Sequence, residues 1–210
     1  MSYLINNAGQ VGVLFLQHLR MTAETLAFAL AIVIPLGVLI NRVNWLRGIA
    51  LGFFSVVYTI PSLSFFVLLI PLTGLGLTSA VIALVAYAQF MLVRNWLVGL
   101  SSIDPATIEA ARGMGMNGWQ LFWQVEFPLA LPLLLAGIRL ATISTIGIGT
   151  IAAYINAGGL GTLLFIGVTT ANYPEIVAGS LTVSALAIAA NYLIRYFERH
   201  AEIAIHGKSR

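Results

Sequence analysis

The chain contains no cysteine, so neither a disulfide framework nor a thiolate metal or redox site can be built from it. Charge is scarce as well: 8% of its 210 residues are Asp, Glu, Lys or Arg, against 60% hydrophobic. Soluble domains carry about a quarter charged residues, so this balance is that of a chain placed in lipid, with no nucleic-acid partner expected. The single lysine, Lys208, completes no GxxxxGK[ST] phosphate loop; if ATP drives this protein, another polypeptide must bind it. Catalytic and metal constellations are missing too. His18 has no second histidine or carboxylate at ligand spacing and reads as a polar residue on the rim of an apolar segment. Neither an internal repeat nor a low-complexity tract is present, and no basic region heads an apolar core near the amino end, which argues against a cleaved signal peptide.

What fills the chain is apolar runs of membrane-crossing length. A helix rises 1.5 Å per residue, so about 20 residues cover the hydrocarbon core. The expected fold is an all-α membrane protein with five spans, at about 21–41, 49–70, 79–97, 128–153 and 175–194, within a transmembrane domain over 21–200. An outer or interfacial segment over 1–20 precedes it and a tail over 201–210 follows. Pro61 in the second span is expected to kink its helix and free a carbonyl that a neighbouring helix or water must satisfy. Pro132 is placed in the first turn of the fourth span, and Asn172 with Glu175 has capping-box spacing at the start of the fifth.

The interval from Asp104 to Pro128 is polar and broken by glycine. Asp104 can cap a short helix with Pro105 at its first position, since proline has no N–H to lose. Glu109, Ala110, Ala111 and Arg112 lie on that helix; Gly113 and Gly115 stop it, with Met114 between them. Asn117 and Gln120 have the spacing of a second capping box, opening a helix that Pro128 is expected to end. The result is a pair of short helices at a glycine elbow. The two alanines offer a flat face for close approach, and Glu109 can meet a basic partner.

Glu109-Ala110-Ala111, three residues, Gly115, nine residues, then Val125-Glu126-Phe127-Pro128 resembles the EAA signature of the membrane-spanning subunits of ABC importers, with Val125 and Phe127 as conservative departures. Leu36-Gly37-Val38, Thr59-Ile60-Pro61-Ser62, Arg94-Asn95, Ala136-Gly137-Ile138-Arg139 and Ala157-Gly158-Gly159-Leu160-Gly161 extend the likeness over nearly the whole chain. They are similar to the permeases of the glycine betaine/carnitine/choline branch, the osmoprotectant importers among binding-protein-dependent transport inner membrane components. The resemblance implies a type I importer permease fold in a bacterial plasma (inner) membrane, with loop 104–127 as a cytoplasmic coupling helix. Its ATPase-contacting residues would be Glu109, Ala110, Ala111, Met114, Gly115 and Asn117. It also implies two ATPase subunits carrying ATP and Mg, a second permease, identical or related, and an extracytoplasmic substrate-binding protein. This chain itself would bind no cofactor and catalyse nothing. A methionine-type amino-acid importer has a similar core. Outside the importer class, the rival readings are a membrane scaffold and a secondary transporter, the latter disfavoured by the missing repeat and odd span count.

With loop 104–127 inside the cell, the amino end lies outside and the carboxyl end inside. Arg42, Arg47, Arg94, Arg112, Arg195, Arg199, Lys208 and Arg210 then fall inside and Arg20 outside, which is the positive-inside asymmetry. Arg139 remains within the membrane, about 16 Å past Pro128 by helix rise. A charge there needs a partner or water, and either a pathway role or a structural tie would account for it. Tyr58, Tyr87 and Tyr154 could offer ring faces to a quaternary ammonium ion, or be ordinary packing and interfacial residues. With Pro61 and Arg139 they complete the candidate pathway set. Asn191 is expected to bond a neighbouring helix, and Gly158 to Gly161 to form a tight outer turn folding back over the pathway.

Overall fold

A computed structural model describes residues 2–206, all of them in helices or the turns between helices. A short α1 (Ser2–Asn6) leads into α2 (Ala8–Arg42), 35 residues without a break and roughly 52 Å long at 1.5 Å per residue. The segment over 1–20 expected to stand apart is therefore mostly helix α2, and Met21 lies mid-helix. The cause is a continuous stripe: Val11, Leu14, His18, Met21, Thr25, Ala29, Val33, Gly37 and Ile40 are buried at intervals of three or four, the helical period of one packed face. His18, expected on a rim, is fully buried. Its Nε2 donates to the Ile146 carbonyl at 3.1 Å, tying α2 to a distant part of the chain.

The second expected span is broken rather than kinked. Helices α3 (Asn44–Thr59) and α4 (Ser62–Thr73) meet at 98°. Ile60 (φ −65°, ψ 129°) and Pro61 (φ −58°, ψ 131°) are both extended, because the proline ring pushes the residue before it out of the helical region. Among the described residues, four helices are long and apolar enough to cross a membrane, and the bent pair brings the number to five if it counts as one span.

Helix α5 (Leu77–Ser101) is the centre of the bundle, with α2, α3 and α4 packed on it. Its Trp96 is fully buried with the Cδ1–Nε1 edge of the indole against Gly37; a Cβ at position 37 would sit 1.8 Å from that edge. Two short helices follow, α6 (Pro105–Gly113) and α7 (Gly118–Leu121). From Gly118 the chain is helical without interruption to Gly149, through a π turn (Phe122–Glu126) into α8 (Phe127–Gly149). Pro128 thus does not end a helix as the sequence suggested. The π turn shifts the bonding by one residue just ahead of it, Phe127 N–H donating to Phe122, and so accommodates the missing donor of the proline. Pro132 consequently falls inside α8 and not in the first turn of a span.

A 3-10 turn (Ile151–Ile155), α9 (Gly161–Thr169) and α10 (Tyr173–His206) complete the fold. Helix α10 packs on α8 and α9 and runs well beyond the expected 175–194. The expected box before it forms differently: Asn172 Nδ2 donates to Glu175 Oε2 at 3.1 Å, side chain to side chain. The Gly158–Gly161 turn packs onto α2. Gly158 and Gly159 have φ of 75° and 78°, and Gly159 N–H donates to Gln17 Oε1 at 3.0 Å on α2.

Candidate functional site

The loop between α5 and α8 forms as its residues dictate. Asp104 Oδ1 accepts from Ala106 N–H at 2.9 Å, and Pro105 is the first residue of α6. At the other side of the elbow Asn117 Oδ1 accepts from Trp119 and Gln120 N–H, while Asn117 N–H donates to Gln120 Oε1, a complete capping box. Gly115 holds φ +83° at the bend, in the left-handed region that favours glycine. Because these backbone groups are satisfied within the loop, its outer face is preorganised.

That face carries Glu109, Ala110 and Asn117, with Glu109 and Ala110 exposed, and Met114, 72% exposed. Ala111 is different: at 2% exposure it is packed against its own chain, so the alanine pair divides, one outward and one inward. Two residues not singled out from the sequence stand beside this face. Trp119 and Trp123 are exposed and lie edge to face, 5.5 Å apart. Two indoles one turn apart inside a polar interval are the signal by which they could have been found. Behind the loop is a polar cavity of about 560 Å³, lined by Asn41, Arg42, Arg112, Met116, Gly118, Leu121 and Glu126.

The other candidates do not form one site. Tyr58, Pro61 and Tyr87 do converge at the α3–α4 break, where Tyr58 stacks on Phe90 at 4.7 Å and meets Tyr87 edge-on at 5.8 Å. Tyr87 is buried, and its hydroxyl donates to the Ile60 carbonyl at 2.6 Å. It is the neighbouring helix's answer to the carbonyl that the break frees. Tyr154 is apart, exposed and packed on Phe165. Arg139 bonds Glu198 Oε2 through Nε at 2.8 Å, with Asn191 Oδ1 at 3.5 Å from Nη1. Helix α10 thus supplies both partners that the sequence could not choose, and Asn191 does reach a neighbouring helix. Among the described residues, no three metal-ligating side chains come together.

A bundle of long apolar helices with a capped, exposed loop matches a known family over almost its whole length. Residues 4–203 fit the binding-protein-dependent transport system inner membrane component. The chain belongs to that family. This permease is 42% identical over 197 residues to the osmoprotectant import permease protein OsmW of Salmonella typhimurium, covering 91% of the chain and 92% of the relative. It is 35% identical to the glycine betaine/carnitine/choline transport system permease protein OpuCB of Bacillus subtilis, covering 95% and 92%. In fold it is similar to a chain of the inward-facing MetNI methionine ABC transporter, with a TM-score of 0.79 at 24% identity over 88% of this chain and 93% of that one.

Proposed function

We propose that this permease forms the translocation pathway of an ATP-driven importer for osmoprotectants of the glycine betaine, carnitine and choline class. Carrying that reading is the 42% identity over nine-tenths of the chain to an osmoprotectant import permease. The likeness to the methionine transporter, at 24% identity, speaks for the fold alone. ATP is hydrolysed on separate ATPase subunits, which dock on loop 104–127 from the cytoplasm. Glu109, Ala110, Met114, Gly115 and Asn117 make the contact, and Ala111 faces inward, away from it. A second permease and an extracytoplasmic binding protein complete the transporter.

Alternating access follows if α6 has two positions, each favoured by a different nucleotide state of the ATPase. The amino end then lies outside and the tail over 201–210 inside, in agreement with the placement of the arginines. Tyr58 and Pro61 at the helix break, together with Tyr87, are the preferred wall of the pathway, because an interrupted helix is where backbone can line a cavity in a membrane.

The experiment is co-expression with the cognate ATPase and binding protein, followed by purification and uptake into proteoliposomes. ATPase should co-purify, and uptake of glycine betaine, carnitine or choline should require internal ATP. Methionine uptake in place of all three, or uptake driven by an ion gradient without ATP, overturns the proposal.

A further inference from the structure

The polar cavity behind the loop holds a carboxylate that shares it with two arginines and is in contact with neither. Glu126, partly buried where the π turn enters α8, shares the lining with Arg42 and Arg112. Among the described residues, the ion pairs within 4.0 Å are Arg20–Glu24 and Arg139–Glu198, so Glu126 is in salt-bridge contact with neither arginine. A partly buried charge left unpaired is unfavourable, and both of its counter-ions are already in place across the cavity.

The two arginines are held differently. Arg42 ends α2, and its Nη2 lies 3.4 Å from the Gly118 carbonyl it donates to, bracing the helix that leads to Glu126. Arg112 is in the last turn of α6, across the elbow. At that elbow Gly115 has positive φ, and a Cβ added there would meet nothing within 4 Å. The capping box of Asn117 stiffens the start of α7 on the far side of the elbow.

We propose that Arg112 and Glu126 are a latch, open in this structure, which closes into an ion pair across the cavity when α6 swings about Gly115. Closure joins the docking helix directly to the π turn that leads into α8, so that displacement of the loop moves a membrane-spanning helix. Arg42 is the fixed strut against which the latch closes. The latch rests on the reading of 104–127 as the ATPase-docking loop.

Arg112→Glu, Glu126→Arg and the double exchange are compared in the assembled transporter, reading ATPase co-purification and solute imported per ATP hydrolysed. Each single exchange should lower coupled uptake roughly tenfold with the ATPase still bound, and the double exchange should return it to within about twofold of the native chain. Native uptake in the single variants, or no recovery in the pair, overturns the latch. Where a charge variant fails to assemble, the absence of cysteine permits a second measurement with Arg112→Cys and Glu126→Cys together. Their cross-linking should be faster with ATP trapped on the ATPase than without nucleotide, and equal rates overturn the latch. Loss of the ATPase from preparations of the native chain would instead refute docking on this loop, and that control is run first.

Discussion

Gly37 shows how much one absent side chain can carry. Helix α2 can lie against α5 only because Trp96 occupies the space a Cβ would need, 1.8 Å from the indole. Gly37→Val should therefore destabilise the bundle by about 1–3 kcal/mol, the usual cost of overpacking a filled core, read as a lowered thermal midpoint of the purified protein. An unchanged midpoint would mean that the indole moves aside freely. Arg139 is the second case. With side chains 27% and 14% exposed, it and Glu198 form a partly shielded pair, and Glu198→Ala leaves the guanidinium with Asn191 alone. The expected loss is about 1–3 kcal/mol, less than for a fully buried pair. The exchange Arg139→Glu with Glu198→Arg should recover part of it. If Arg139→Ala changes neither stability nor uptake, the arginine has neither a structural nor a transport role.

Among the elements, the α3–α4 break depends on a single donor from another helix. Tyr87→Phe keeps the aromatic ring and the cluster with Tyr58 and Phe65, but leaves the Ile60 carbonyl without its hydroxyl partner. The bond is partly buried, so its loss should cost about 1 kcal/mol. The variant should melt earlier, and its KM for solute should hold if the ring alone faces the pathway. A KM rise without loss of stability would assign the hydroxyl to the solute instead. The fate of Pro128 has a similar origin. Proline was legible as a helix stop, and the local chemistry of Asp104, Asn117 and Gly115 was legible in full. Whether the chain stops or inserts a π turn depends on Phe122, Phe127 and Trp96 packing together at 5.8–6.4 Å, an arrangement between separate helices that no local pattern contains.

For the molecule as a whole, orientation is the property on which ATPase docking and the latch both depend. A cysteine-free chain makes it directly measurable: Arg112→Cys should react with a membrane-impermeant thiol reagent only after the cells are opened, and Ala171→Cys should react from outside. The reverse pattern would invert the topology and end the docking proposal. By itself the sequence determined that this is a helical membrane protein with a capped, glycine-hinged loop and an asymmetric distribution of arginine. Composition, helical period and capping chemistry are local, and they are set wherever the chain goes. Only the tertiary structure decided that Ala111 turns inward while Ala110 does not, that α2 begins at Ala8, that His18 is buried against Ile146, and that Arg139 meets Glu198. Each of these is settled by contacts between residues far apart in the chain, and their energy exists only after the helices have packed.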